Sequence, residues 1–345
     1  MTARRLYRTP LPSVPPGSQK GAVLVMALLI VALVASLAVS FSSAFQLSLA
    51  RGENRWHGAQ ATAYLLGSES LAVKALRLDA EDNKFDHLGE GWAEEYPPFP
   101  VDGGWFKGRV EDAQGRFNLN NLAGAPQQNT DSGSRAQAFG YDQRRFIRLL
   151  QTFEQVPVEQ SEAIAIMEAV IDWLDTDDQP TGFGGAEAQY YEQQETPYHP
   201  ANGWFSSVSE LRLVRHVTPE LYMALLPYVV VLPKDGTNLN VNTAAVQILR
   251  CLNDNNSLAP LSSQDAERVA QARGEGGYEE VADFYNSALA PVLPQGASFV
   301  NDGLSIASDY FLLTAEAQLV RQRRRLTSLL WRNNGEVKPV RRRDY

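Results

Sequence analysis

The chain has 345 residues, a formal net charge of −9 and a sequence pI near 5.1, a balance that argues against general affinity for nucleic acid. Its 44 % hydrophobic and 21 % charged residues are the proportions of a globular protein long enough for one large or two medium domains. Cys251 is the only cysteine, which excludes an internal disulfide and a multi-cysteine zinc site, and His57, His87, His199 and His216 show no metal-ligating spacing.

Residues 22–41 carry no charge. As a helix they span about 30 Å, at roughly 1.5 Å per residue, the thickness of a bilayer core. Arg4, Arg5, Arg8 and Lys20 precede this run, so its N-terminal side is expected in the cytoplasm and the remainder outside. A secretory signal peptide has a shorter apolar region that ends at a small-residue cleavage site, whereas here helical character continues through "SSAFQLSLARGENRW". A plain membrane anchor explains everything except the Lys20–Gly21 border. That border resembles the cleavage site of type IV pilin-like precursors, in which a prepilin peptidase cuts after glycine and methylates the new N-terminus. The expected leader is 1–21, with cleavage between Gly21 and Ala22. Most pilin-like subunits carry glutamate at the fifth mature position, and this chain has Met26 there. That glutamate can neutralise the N-terminal amine of a neighbour in the filament, and its loss is tolerable for a subunit with no neighbour above it, which points to the filament's tip.

Beyond the apolar run, Phe45, Leu49, Trp56, Ala59, Ala63, Leu66, Val73 and Leu76 follow helical spacing, with Arg51, Glu53, Arg55, Glu69, Lys74 and Arg77 between them. The expected stalk helix has a transmembrane part, 22–41, and a periplasmic part, 42–80. Segment 81–120 holds "GGWFKGRVEDAQGRFNLNNLAG", whose alternation reads as a β-hairpin turning at "DAQG". Segment 301–345 reads as two or three further strands. In it Tyr310 alternates with Leu312, Leu329 with Trp331, and the run Arg321, Arg323, Arg324, Arg325 divides between the two faces. Between the β segments, 121–300 is mostly helical, with caps expected at Ser161, at Thr218 before Pro219, and at Ser262 or Ser263. The fold class is therefore α+β: a pilin fold, with a long helix on an antiparallel sheet, carrying a large inserted α-domain.

The insert contains an internal echo. "FNLNNL" and "TNLNVNTA" each lead into helical segments, and the second copy resembles the helix-hairpin-helix units of DNA-binding competence proteins. Such units need basic faces, yet 121–300 holds 10 Lys and Arg against 23 Asp and Glu, a formal charge of −13. The most chemically pointed stretch is "VIDWLDTDDQPTGFGGAEAQYY", with Asp172, Asp175, Asp177 and Asp178 at one helix end and Glu187 after a glycine-rich turn. These carboxylates repel one another at the unfavourable pole of the helix dipole. Hard oxygen donors without Cys or His suit Ca2+, although the spacing is not that of an EF-hand. The alternatives are an exposed acidic loop and an acid/base pair in a hydrolase.

Taken together, the Lys-Gly border, the non-Glu fifth position, "GRFNLNNL", the acidic loop, "PANGWFSSVSELRLV" and "NLNVNTA" resemble the general secretion pathway protein K family, the large minor pseudopilins of type II secretion. The resemblance covers nearly the whole chain. It implies no enzymatic activity and assembly with the I and J minor pseudopilins into a tip complex that initiates or caps a periplasmic pseudopilus. The other implied partners are further pseudopilins, the prepilin peptidase and the inner membrane, with cargo exoprotein or secretin as further contacts and no nucleic acid. It also implies single-pass anchoring with the C-terminal domain in the periplasm. Family members bind calcium in the insert; carried over here, the ligands are Asp175, Asp177, Asp178 and Glu187, with Asp172, Asn202 and loop carbonyls as further donors. A DNA-uptake pseudopilin and a tethered calcium-dependent hydrolase are the rival readings.

Overall fold

The computed structural model describes residues 20–123 and 134–344; most of the expected leader lies outside them. The chain divides into two compact units, 1–59 and 60–345. Helix α1, Lys20–Asp82, runs through both without interruption. In the first unit its apolar side chains, Val23 to Leu49, are exposed. No other described helix is both long and apolar enough to cross a membrane.

In the second unit, α1 lies against a sheet made from both ends of the remaining sequence. After α1 come β1 (Phe99–Val101) and β2 (Gly104–Asp112), an antiparallel hairpin. Its turn is Asp102–Gly103, where the φ of +82° favours glycine. The expected turn at "DAQG" is thus one strand too late. Those residues form a 3-10 turn, Ala113–Gly115, capped by the Asp112 carboxylate, which accepts from Gln114 N at 2.7 Å. A charged cap leads the chain out of the sheet instead of reversing it.

The insert follows. β3 (Phe117–Asn118) precedes α2 (Tyr141–Leu150), α3 (Gln160–Leu174), α4 (Ala188–Tyr191) and α5 (Pro219–Leu225), and β4 (Val229–Val230) then pairs with β3 in parallel. β5 (Leu239–Asn240) opens a second round: α6 (Val246–Leu249), α7 (Ser263–Ala272), α8 (Val281–Phe284) and β6 (Leu304–Ser305), which pairs with β5 in parallel. The sequence echo is therefore a repeated construction. Each copy ends its first strand on a buried asparagine, whose side chain accepts from the N–H two residues on: Asn118 from Asn120 and Asn240 from Asn242. Thr218 and Ser262 cap α5 and α7 as expected. α3 instead starts at Glu159 without a side-chain cap, so Ser161 lies inside the helix. "SVSELRL" is a 3-10 helix, Val208–Leu213, with a Ser207/Glu210 capping box.

The chain then returns to the sheet as β7 (Tyr310–Leu319), β8 (Gln322–Asn333) and β9 (Glu336–Asp344), giving the antiparallel order β1-β2-β7-β8-β9. Period-two alternation sends Phe311, Leu313, Ala315, Ala317 and Leu319 to the helix side, where they pack with Ala61, Leu65, Ala72 and Leu76. Tyr310 and Leu329 point to the other face, where Val230 and Leu232 of the insert cover them. Arg323 and Arg325 share one face around the buried Glu316.

Asp112, at the point where the chain leaves the sheet, also accepts from Asn240 Nδ2 (2.9 Å), Thr243 Oγ1 (2.5 Å) and Ser308 Oγ (2.7 Å). One buried carboxylate thus ties the last residue of β2 to the second repeat and to the returning segment. Burial pushes its pKa up, against these four donors. Asp112→Ala leaves Gln114 N and Ser308 Oγ without an acceptor and Thr243 Oγ1 with only a 3.5 Å contact to Asn240 O, while Asn240 Nδ2 keeps Asp86 O at 3.2 Å and Ser308 Oγ at 3.1 Å. It is expected to cost about 3–4 kcal/mol, with Asp112→Asn costing less, as measured by urea unfolding of the fragment from Gln60 onward.

Candidate metal centre

α3 is buried along its C-terminal half: every residue from Ile166 to Leu174 has its side chain inside. Two of these are carboxylates one helical turn apart, Glu168 and Asp172, so both face the same way. They brace the loop that follows. Glu168 Oε2 accepts from Gly184 N at 2.7 Å, and Asp172 accepts from Thr181 N at 2.9 Å. The helix ends at Asp175, whose N–H still bonds Ile171 O.

Past this cap, one carboxylate oxygen each from Asp175, Asp177 and Glu187 lie within 4.8 Å of one another. Glu187 is buried, yet neither of its oxygens has a hydrogen-bond partner, and the same holds for Asp175 Oδ1. Burial pushes the Glu187 carboxyl up to about 7, with repulsion from Asp172, Asp175, Asp177 and Asp178 added. Burial and the charges of Asp172 and Asp177 push Asp175 up to about 6. Buried oxygens without donors are costly, and a cation is the partner that removes both the orphaned lone pairs and the repulsion. The donor set is all hard oxygen, which fits Ca2+ better than a transition metal.

The other sequence-derived candidates fall into separate places. Asp178 is exposed and outside the three-carboxylate cluster, acting on Glu187 through charge. Asp172 is spent on the loop backbone. Asn202 sits at a φ of +43° with its Oδ1 buried and unpartnered, and the next residue's N–H bonds Trp173 O. The residues that sequence reading missed are the braces: Glu168, and Arg215, whose Nη1 donates to Gly185 O at 3.0 Å while its guanidinium stacks on Tyr190. The spacing of Glu168 and Asp172 on one helix face was the available signal.

A second acidic group, Asp79, Asp86 and Glu90, also converges within 4.8 Å, but its oxygens are occupied. Arg332 reaches Asp79 at 2.9 Å and Asp86 at 2.5 Å, and Glu90 accepts from Asn83, His87 N and Trp92. Arginine already plays the cation's part there.

Comparison with known proteins fits this architecture. Two family models described as type II secretion system protein K match residues 115–234 and 239–307, one per repeat of the insert. A type II secretion system protein K of Aeromonas hydrophila is 35 % identical over 322 residues, covering 91 % of this chain and 93 % of the relative. That of Pseudomonas aeruginosa is 33 % identical, covering 94 % and 92 %. A chain in the crystal structure of the GspK–GspI–GspJ complex from the enterotoxigenic Escherichia coli type 2 secretion system superposes with a TM-score of 0.71 at 27 % identity, over 86 % of this chain and 99 % of that one. With identity sustained along nearly the whole chain and both family domains in place, the protein belongs to the type II secretion system protein K family and is a minor pseudopilin.

Proposed function

We propose that the protein assembles with the I and J minor pseudopilins into the tip complex that initiates or caps the pseudopilus, and that it acts mechanically, without catalysis. The observation that carries this reading is the combination in one chain of a continuous helix, apolar in its first half, with a sheet from which a bulky insert of two repeats grows. The apolar half anchors the subunit in the inner membrane, with the second unit in the periplasm. The insert's bulk stops a further subunit from adding above it. In the insert, Ca2+ would be held by Asp175, Asp177 and Glu187, with Asn202 and loop carbonyls completing the shell and Asp178 adding negative charge from outside it. The ion supplies charge neutralisation that fixes the loop after α3.

The DNA-uptake reading is disfavoured by how the hairpin asparagines are used. Asn242 exchanges two hydrogen bonds with the Tyr278 backbone, so its amide group faces inward, not toward a phosphate. The test is copurification of the fragment from Gln60 onward with I and J, with and without EDTA. A stable ternary complex, weakened by EDTA, is expected. A folded fragment that captures neither partner overturns the assignment, and a complex indifferent to EDTA removes the ion from it.

A further inference from the structure

The turn beside the acidic cluster presents one phenyl ring to water. Phe183 has a relative exposure of 105 %, above every other large apolar side chain among the described residues; Phe41, on the apolar helix, reaches 75 %. The turn that carries it is not loose. A Cβ on Gly182 would lie 2.1 Å from the Glu168 carboxylate, one on Gly184 2.2 Å from Ala165 Cα, and one on Gly185 2.4 Å from Asp172 Oδ2. Gly182 also holds a φ of +59°. Glu168, Asp172 and Arg215 bind the turn's backbone from the protein side, Gly185 N closes it onto Thr181 O at 3.1 Å, and His216 hydrogen-bonds the Gly184 backbone. Within Gly182–Gly185, the one position free of packing carries a large aromatic side chain, held rigidly outward. Folding gains nothing from a phenyl group there.

The surroundings limit what the ring can meet. Asp177 and Asp178 are exposed on the same loop, and the exposed Glu162 acts on His216 beside the turn. Of the insert's ten cations, Arg144, Arg145, Arg148, Arg250 and Arg273 are turned inward onto backbone carbonyls, and of its carboxylates Asp142, Glu168, Asp172 and Glu187 are buried, so the surface keeps the negative balance of the formal charge of −13. We infer that Phe183 is an anchor for a folded protein outside the pseudopilin complex, one that offers an apolar pocket bordered by Lys or Arg. A rigid aromatic that enters such a pocket loses little conformational freedom, which is why single aromatics dominate many interfaces. A basic rim is attracted by Glu162 and by the insert's net negative charge, which remain when an ion takes up the charge of Asp177, and the attraction orients the encounter. The inference needs family membership, but not the bound cation.

The test is made in secreting cells that express the full chain as Phe183→Ser, Phe183→Trp or Glu162→Lys, with export rate and copurification with I and J measured in parallel. Phe183→Ser is expected to lower export about ten-fold, the consequence of leaving one pocket unfilled. Phe183→Trp should stay within about two-fold of wild type, and Glu162→Lys should lower export in the same direction. Recovery of the I and J complex is expected to be unchanged in all three. Export that is indifferent to Phe183→Ser overturns the anchor, and indifference to Glu162→Lys overturns the basic rim. Loss of I and J recovery together with export assigns the ring to the assembly interface and also overturns the inference. Absence of I and J from the wild-type preparation counts against the proposed assembly, not against the anchor.

Discussion

EDTA is expected to lower the Tm of the fragment from Gln60 onward by about 5–10 °C at pH 7.5. An ion present at a hundred times its Kd stabilises by about 2.7 kcal/mol, and a domain of this size shifts by roughly 2–4 °C per kcal/mol. The pH dependence distinguishes this from a generic chelator effect. In the ion-free protein, burial raises the folded pKa of Asp175 to about 6 and of Glu187 to about 7. A raised carboxyl pKa stabilises the fold below the unfolded value, near 4, and that stability is lost as pH rises through about 6–7. The EDTA-treated fragment should therefore gain stability between pH 7.5 and 5. The ion-loaded fragment should gain less: Asp79 and Asp86, raised to about 7 and about 6, contribute to both forms, but at the loop protons compete with the ion for the same oxygens. The EDTA effect thus shrinks towards pH 5. Glu187→Gln should abolish it, while leaving a folded protein whose Tm changes less with pH. A Tm at pH 7.5 that ignores EDTA sinks the metal centre.

The two acidic groups show why carboxylate counting alone could not find this site. Both contain three carboxylates within 4.8 Å, and in both, burial raises pKa values. In one, Arg332, about 250 residues away in sequence, enters between Asp79 and Asp86. In the other no basic side chain arrives among the described residues, and Glu187 has no donor among them. A tertiary contact of that range has no local sequence signature, so only the structure separates an arginine-filled cluster from one that can take an ion.

What was legible follows the same division. The α1 pattern, the strand segments at both ends and the capping residues Thr218 and Ser262 rest on local periodicity and local hydrogen bonds, and they could be read directly. The hairpin turn was misplaced because Asp112–Gly115 has turn chemistry but is drawn into the second repeat by Asn240 and Thr243. Tyr310 and Leu329 alternate as strand residues should, but which face they occupy is decided by Val230 and Leu232 of the insert. At the acidic loop, residue types pointed to the chemistry. The division between the proposed ligands (Asp175, Asp177, Glu187) and the braces (Glu168, Asp172) depends on the path of the chain after α3.

Gly21→Val is expected to leave the precursor uncut, with processing reduced about a hundred-fold or more, the consequence of losing about 2.7 kcal/mol of transition-state stabilisation. The structure makes this substitution a clean probe. Gly21 lies at the start of α1, and a Cβ there meets nothing within 4 Å, so valine is accommodated and a failure reports the peptidase, not the fold. Glycine leaves the backbone on the cut side open to approach and easy to unwind from the first turn, whereas a β-branched residue is stiff. Export should fall with processing, and for a physical reason. Arg4, Arg5, Arg8 and Lys20 all precede the cut, and drawing them into the apolar core costs about 2.5–3.5 kcal/mol for each charge. An uncut helix is therefore held at the cytoplasmic interface. Cleavage after Gly21 would remove all four cations at once and leave one amine, on Ala22, as the only charge at the end of a helix that could then leave the bilayer. Mass measurement of the membrane-bound chain, together with export from the same cells, checks both halves. A Gly21→Val chain that is trimmed to Ala22 at the wild-type rate removes the processing assignment, and an uncut chain that still supports export removes the mechanical argument built on it.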